Sequence, residues 1–354
     1  MAGPNPEVDA LLVLSFGGPE GRGEVLPFLE RVTRGRGVPR ERLLEVAEHY
    51  EHFGGVSPIN ARNRELIGRI QAELAEAGVE LPVYFGNRNW HPLVEDTLAE
   101  MTRDGVRRAL VLATSAYGGY SACRQYHEDI ERARSSVGDG APELVKLRHF
   151  FDHPQFVASA TDAVRAALRE LPETRRDQAR LVFTAHSIPT AADQAAGVPE
   201  EGGHRYSRQV REAARLVAAE LGTKAYDVVW QSRSGPPSVP WLAPDILDHL
   251  AELHARAVPS VLVCPIGFLS DHVEVVWDLD NEAREWAEKH DMAFARAATV
   301  GEDIRFARMV VELVGEQTEA APARALGGVP SAGSGVDGQP CAANCCLPAR
   351  QPGR

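Results

Sequence analysis

The stretch ALLVLSFGGP, residues 10–19, decides the fold. Its first half is a continuous apolar run, and the run ends in a turn of Gly17, Gly18 and Pro19. An apolar run without polar alternation is typical of a strand that is covered on both faces of its sheet. A similar pattern returns at residues 181–189, LVFTAHSIP, where a second apolar strand precedes a loop that contains proline. The two stretches therefore predict parallel sheets in an α/β protein.

Short apolar runs alternate with longer amphipathic segments along most of the chain. In residues 61–77, for example, Leu66, Ile70 and Leu74 recur at helical spacing. Strands that alternate with helices indicate βαβ units. The predicted strands are residues 11–15, 82–86, 109–114, 144–150, 181–184, 227–230 and 260–264. The main predicted helices are residues 61–77, 94–103, 155–171, 207–221, 273–289 and 304–314.

This alternation runs twice, with a break near residues 150–152. It predicts two similar, doubly wound domains, residues 1–150 and 151–301, with the last helix, about 302–315, joining the first domain. Residues 316–354 begin with a stretch rich in Ala, Gly, Pro and Ser, which predicts a flexible linker and tail. In such sheets functional side chains collect where strands end, so we expect a cleft between the two domains to carry them.

Composition excludes several classes of protein. With 38 basic and 50 acidic residues the chain has a formal net charge of −12, which disfavours nucleic acid and anionic membrane surfaces as partners. The longest apolar runs fall short of the roughly 18 residues of a membrane span, and the N-terminus lacks the basic start of a signal peptide. The glycine-rich turns also lack the two nucleotide-binding patterns Gly-x-x-x-x-Gly-Lys and Gly-x-Gly-x-x-Gly. We expect a cytoplasmic protein without a nucleotide cofactor.

His186 is the first candidate for chemistry because it follows an apolar strand and precedes the loop Ser187-Ile188-Pro189. Imidazole exchanges protons near neutral pH and binds borderline metals. A histidine that is only hydrogen-bonded at a domain edge fits the position equally well.

Three carboxylates form the second candidate. Glu274, Asp278 and Glu282 follow a possible helix cap at Ser270 or Asp271, and their spacing of four residues places them along one helical face. Such a row could pass a divalent cation along the helix, or it could simply be a solvated acidic surface.

Several motifs together resemble the ferrochelatase family. They occur in the family's order over about residues 9–315, and they are residues 12–19 (LVLSFGGP), 54–58 (GGVSP), 184–189 (TAHSIP), 230–232 (WQS), 240–242 (PWL) and 270–274 (SDHVE). The resemblance implies two Rossmann-like domains around a porphyrin cleft, and insertion of ferrous iron into the ring with release of two protons.

Site residues follow from the same resemblance. It assigns the active-site pair to His186 and Glu274, and a path for metal or protons to Asp278 and Glu282. It places Ser57, Tyr50 and Tyr126 at the edge of the porphyrin. Some bacterial members carry a tyrosine that can ligate product iron where this chain has Phe16. Because phenylalanine has no lone pair to offer, the resemblance implies that iron is held from the His186 side.

The five cysteines form an odd set, which in a cytosolic chain argues against a disulfide framework. An actinobacterial branch of the family holds a [2Fe–2S] cluster with three C-terminal cysteines and one internal cysteine. The resemblance assigns these ligands to Cys341, Cys345, Cys346 and Cys123, and leaves Cys264 as a packed apolar residue. A zinc site or a tail with reactive thiols remains an alternative.

The resemblance to that branch implies coproporphyrin III as the substrate. We expect the chain to act as a monomer. A separate coproheme decarboxylase would then take the iron-loaded product onward to haem. Protoporphyrin IX is the alternative substrate, and sirohydrochlorin is a more distant one. Two other classes remain, namely a non-catalytic carrier of tetrapyrrole or metal and a redox sensor built on the cysteines.

Overall fold

A computed structural model describes residues 7–35, 37–235, 238–328, 342 and 344–348. Within them, eight strands form two four-stranded sheets in which every pairing is parallel. The strands are β1 (Ala10–Ser15), β2 (Val83–Asn87), β3 (Arg108–Ala113), β4 (Glu143–Lys146), β5 (Arg180–His186), β6 (Tyr226–Gln231), β7 (Ser260–Cys264) and β8 (Ala293–Arg296). The order is β2-β1-β3-β4 in one sheet and β6-β5-β7-β8 in the other, so the two halves share one topology. The predicted pair of Rossmann-like domains is confirmed.

Helices flank both sheets. None of those in the described part of the chain is long and apolar enough to cross a bilayer. The α-helices are α1 (Arg22–Val32), α2 (Arg40–His52), α3 (Ile59–Glu76), α4 (Val94–Arg103), α5 (Gln125–Val137), α6 (Pro154–Glu170), α7 (Glu173–Arg176), α8 (Thr190–Gln194), α9 (Arg205–Glu220), α10 (Ile246–Ala255), α11 (Val273–Val275), α12 (Arg284–Lys289) and α13 (Ile304–Thr318). Two π-helices, π1 (Tyr120–Arg124) and π2 (Val276–Ala283), precede α5 and α12 respectively. Short 3-10 turns lie at Pro199–Glu201 and Val300–Glu302.

The first apolar stretch behaves as its sequence predicts. Residues 10–15 form β1, in the interior of the first sheet, and every one of them is buried. In the register, Leu12 lies between Tyr84 of β2 and Val111 of β3. Helices cover both faces, so the strand has no solvated side that would call for polar alternation.

Helix α13 spans the junction of the two halves. Arg308 on this helix pairs with Glu73 of α3 at 3.1 Å, and Arg305 pairs with Asp162 of α6 at 2.8 Å. Deeper in the junction, the Arg148 guanidinium donates two parallel hydrogen bonds to the carboxylate of Glu316. The helix therefore contacts both halves of the molecule.

Residues 316–328 differ from the predicted flexible linker. The helix continues to Thr318, and the segment after it is tied to the body by hydrogen bonds. Leu326 donates its amide to the Asp152 carbonyl at 2.9 Å, and Gly328 donates its amide to Glu212 at 3.0 Å. Composition gave no signal for these two contacts, because their donors are backbone amides, which do not depend on apolar side chains.

The Arg148–Glu316 pair supports our first prediction. Replacing Glu316 by glutamine removes the carboxylate that accepts two hydrogen bonds from a guanidinium that is 1% exposed, and leaves only Asp152, 3.9 Å away, as its counter-charge. The free energy of unfolding should therefore fall by about 3 kcal/mol. Guanidinium titration followed by circular dichroism measures this change. The control is Glu131→Gln, which breaks an exposed pair with Arg134 and should cost less than about 0.5 kcal/mol. Equal losses in the two variants would contradict the prediction.

Candidate active site

His186 is the last residue of β5, an interior strand, and therefore lies at the carboxyl end of the parallel sheet. The following residue, Ser187, donates its amide to Gln231 of β6 at 2.7 Å, which extends the ladder past the histidine. On the β7 side, a Cβ added to Gly267 would lie 2.4 Å from the Ala185 Cβ. Only glycine allows this approach, so the loop after β7 packs directly against Ala185, the residue before His186.

The carboxylate of Glu274 lies beside the imidazole of His186. Its Oε2 lies 3.5 Å from His186 Nε2, and the side chains are 49% and 35% exposed respectively. The other ring nitrogen, Nδ1, lies 2.5 Å from the carbonyl oxygen of Ser187 and donates to it. This bond leaves Nε2 as the atom that can take a proton or bind a metal. The structure therefore brings His186 and Glu274 together, as the sequence predicted, and leaves both side chains partly exposed.

His186 and Glu274 shift each other's pKa in opposite directions. Burial would lower the pKa of His186, but its hydrogen bond and charge interaction with Glu274 raise it overall. Burial would raise the pKa of Glu274, but His186 outweighs this effect and lowers it to about 2. The carboxylate is therefore charged at neutral pH, and it favours a cation at Nε2, whether that cation is a proton or a metal ion.

The acidic row continues along π2, where the sequence predicted an uninterrupted α-helix over residues 273–289. One α-helical turn, α11, is followed by eight residues of π-helix, a rare form that is frequently found at functional sites. Asp278 accepts hydrogen bonds from Gln231 Nε2, at 3.2 Å, and from Ser232 Oγ. Burial, with the nearby charges of Glu274 and Glu282, raises the pKa of Asp278 to about 7. The row therefore holds one charged carboxylate and one that exchanges its proton near neutral pH.

A ring stack that was not predicted bridges the two halves beside this row. The His49 ring of α2 stacks on the Trp277 ring of π2, with centroids 4.0 Å apart and planes 8° apart. His52 and Phe53 meet the same indole edge-on. Both halves of the stack lie in helices with ordinary amphipathic patterns, and 228 residues separate them. Sequence spacing carried no signal for such a contact.

The three residues predicted to touch the porphyrin are buried rather than displayed. Tyr50 is 7% exposed, Ser57 is 4% exposed and Tyr126 is 4% exposed. Burial, with the charge of Glu274, raises the pKa of Tyr50, which places this phenol near the active pair. The guanidinium of Arg88 lies 4.7 Å from the centroid of the Tyr126 ring.

Phe16 directly follows β1 and is 39% exposed. Its ring meets Phe28 of α1 edge-on, with centroids 6.3 Å apart. The Arg88 guanidinium lies 5.9 Å from its centroid, so Arg88 lies beside both Phe16 and Tyr126. Arg88 itself is 8% exposed and pairs with Asp129, and sequence reasoning missed it.

The described cysteines of the tail dock against the body. Cys346 accepts a hydrogen bond from the Gly197 amide at 3.1 Å, and its own amide donates to the Gly197 carbonyl at 2.9 Å. The Cys345 and Cys346 sulfurs are 3.6 Å apart, and their hydrogen bond, with backbone donors and Arg205, lowers the pKa of Cys346. Cys123 in π1 accepts a hydrogen bond from buried Lys146 at 2.9 Å.

Cys341 lies outside the described residues. Within them, no group of three or more His, Cys, Asp or Glu side chains is placed to hold a metal ion. Buried thiols beside cations and amide donors nevertheless suit thiolate ligands, so the cysteine region fits an iron–sulfur cluster in its chemistry.

The two doubly wound halves give the chain a chelatase-like fold. The fold matches that of SirB from Bacillus subtilis with Fe3+, with a TM-score of 0.53 and 12% identity over 88% of this chain and 96% of that one. The family model for ferrochelatase matches residues 8–318. The chain belongs to the ferrochelatase family and is an enzyme that inserts metal into a porphyrin.

Relatives in actinobacteria are similar in sequence to this chain over nearly their whole length. The coproporphyrin III ferrochelatase of Nocardia farcinica is 65% identical over 98% of both chains. The protein of the same name from Mycolicibacterium smegmatis is 60% identical over 95% of this chain and 98% of the relative. A third, from Corynebacterium glutamicum, is 55% identical over 96% of this chain and 92% of the relative.

Proposed function

We propose that this enzyme inserts Fe2+ into coproporphyrin III, giving Fe-coproporphyrin III and two protons, as a step of haem biosynthesis. The observation that carries the metal chemistry is the partly exposed pair of His186 Nε2 and Glu274 Oε2, which lie 3.5 Å apart. The names of the relatives support the choice of porphyrin. The product would then pass to a separate decarboxylase.

The pair answers the two demands of the reaction. A free porphyrin holds two pyrrole N–H protons, so insertion needs a base close to the ring. Iron must shed water before it enters, which calls for a weak ligand that gives up its metal readily. His186 Nε2 is the base, since Nδ1 is occupied by the Ser187 carbonyl. Glu274 stabilises the positive charge that arrives there, whether on a proton or on iron.

Asp278 and Glu282 extend the site away from the ring. Because the pKa of Asp278 is about 7, this carboxyl group can take a proton from the active pair at neutral pH. Glu282 is exposed and can pass the proton to water or receive iron from it. We propose this row as the path for protons, iron or both.

Ser57, Tyr50 and Tyr126 are proposed to line the porphyrin edge. Tyr50 lies near Glu274 and packs edge-on against Phe28, while Arg88 orients the Tyr126 ring from behind. Phe16 supplies an apolar face without a ligand atom. We therefore propose that iron is held from the His186 side alone.

The test is an anaerobic assay with Fe2+ and either coproporphyrin III or protoporphyrin IX, in which the absorption bands are followed over time. We expect coproporphyrin III to be converted at least tenfold faster in kcat/KM, with spontaneous insertion measured in buffer alone as the control. Faster conversion of protoporphyrin IX would overturn the choice of substrate. A bound spectrum without turnover for either porphyrin would favour a carrier.

We also propose that Cys123, Cys341, Cys345 and Cys346 hold a [2Fe–2S] cluster. Support comes from the docking of Cys345 and Cys346 against the body and from the cation beside the Cys123 sulfur. A bound cluster would supply a redox centre, and no electron transfer is needed for insertion itself. These thiols and their donors would hold it, with Lys146 and Arg205 offsetting its negative charge.

Anaerobically purified protein should contain about two irons and two acid-labile sulfides per chain, with visible charge-transfer absorption. Cys123→Ala should lose this absorption. The matched control is Cys264→Ala, because Cys264 is buried in β7 and burial raises its thiol pKa to about 12. Bound zinc without visible absorption, or equal absorption in the two variants, would contradict the proposal.

A further inference from the structure

Two adjacent residues at the start of α9 face different parts of the molecule. Arg205 contacts the cysteine tail, and Tyr206 contacts the strand that carries His186. Both side chains are buried, at 2% and 6% exposure. The first turn of this helix therefore lies between the tail and the active site.

Tyr206 holds the backbone at the active histidine. Its phenol donates a hydrogen bond of 2.8 Å to the carbonyl oxygen of His186 itself. The ring is fixed by Tyr117, which meets it edge-on with centroids 6.1 Å apart, and by Trp230, with centroids 5.8 Å apart. A buried ring held on two sides gives the hydroxyl a defined position.

Arg205 is held by the tail and by its own helix. Its Nη1 lies 3.7 Å from the Cys345 sulfur, and its other nitrogens pair with Glu201. Cys346 adds two hydrogen bonds to Gly197, in the loop that leads into α9, and Arg124 donates to the Cys345 carbonyl at 2.9 Å. The docked tail therefore closes over the start of α9.

We propose that Tyr206 is a positioning residue for His186, and that the Cys345–Cys346 segment stabilises this position through Arg205. The inference rests on the proposed role of His186. In this arrangement the tail acts on metal insertion through the backbone at the end of β5, without touching the porphyrin or the iron.

Tyr206→Phe tests the first part, because it keeps the ring and removes only the hydroxyl. We expect kcat to fall about fivefold, the effect of one lost hydrogen bond, with KM for the porphyrin unchanged. The matched control is Tyr84→Phe in β2, which removes a phenol hydrogen bond of equal length, donated to Asp104, and should leave both constants unchanged. Unchanged kcat in Tyr206→Phe, or an equal loss in both variants, would overturn the positioning role.

Truncation after Pro340 tests the second part by hydrogen exchange of the full chain and the shortened one. We expect the amides of residues 186–188 and 205–209 to exchange about tenfold faster without the tail, and Tyr206→Phe to lower kcat less in the shortened chain. Unchanged exchange in residues 186–188 would overturn the link, whatever happens to turnover. If no protein in the series inserts iron, the proposed function fails while the exchange result still stands.

If the shortened chain fails to fold, Arg205→Met offers a second test. It removes the contact between Arg205 and the Cys345 sulfur but keeps the tail. Glu201→Gln is its control, because it alters the other partner of the guanidinium and leaves the sulfur contact intact. Faster exchange at residues 186–188 in Arg205→Met alone would support the link, and equal exchange in the two variants would overturn it.

Discussion

Replacement of His186 by alanine is expected to lower iron insertion by about 10³-fold or more while the porphyrin still binds. The imidazole is the only group that we assign to take a pyrrole proton directly, and general-base catalysis contributes about 10²–10⁴-fold to enzymatic rates. Its Nε2 also faces the carboxylate that would guide the metal, so one substitution removes both functions. Binding should survive, because Phe16, Tyr50 and Tyr126 are untouched.

Two measurements separate these effects. Initial rates of iron insertion report turnover, and quenching of porphyrin fluorescence reports binding. His254→Ala is the matched control, since His254 is an exposed histidine of α10 that we give no role. Turnover at the wild-type rate in His186→Ala would remove the proposed mechanism. Loss of binding in the variant would instead assign His186 to the porphyrin site.

Glu274→Gln should be nearly as damaging, with a fall in kcat of about 10²–10³-fold. Glutamine preserves shape and removes the charge that raises the pKa of His186. Without that charge, only the Ser187 hydrogen bond and the charge interaction with Asp278 oppose burial, so the pKa of His186 should fall. Iron would then meet a neutral amide where the wild-type enzyme offers a carboxylate.

The change is measured by kcat together with an NMR titration of the 15N-labelled imidazole. We expect the His186 signal to titrate at lower pH in Glu274→Gln than in the wild-type enzyme. Glu285→Gln in α12 is the control, since its exposed carboxylate pairs only with Lys289 among the contacts described for it. A lower kcat with an unchanged His186 titration would mean that Glu274 acts on iron without acting on the histidine.

Much of the fold could be predicted because the burial of strands and helices leaves recognisable patterns of apolar residues in the sequence. Buried parallel strands such as β1 and β7 read as unbroken apolar runs, and helices such as α3 repeat their apolar residues at helical spacing. Strand β8 was missed because it has only four residues, ends in Arg296 and has a single buried position. Such a short edge strand leaves too little pattern to find.

The π-helix was also beyond the sequence. Residues 276–283 have the composition of any amphipathic helix, and Asp278 and Trp277 meet partners that lie outside it. Gln231 and Ser232 hold the first, and His49 stacks on the second. These partners lie far away along the chain, and local propensity cannot encode them.

By itself, the sequence determined the two repeated sheets, the strand end that carries His186 and the helix that carries Glu274. Those features depend on local periodicity, which every folded copy of the chain must satisfy to bury its apolar residues. Only the tertiary structure decided that Nε2 and Oε2 meet, that His49 stacks on Trp277 and that Tyr206 holds the His186 carbonyl. Those contacts arise where separate elements pack together, and packing depends on shapes and distances that spacing along the chain does not record.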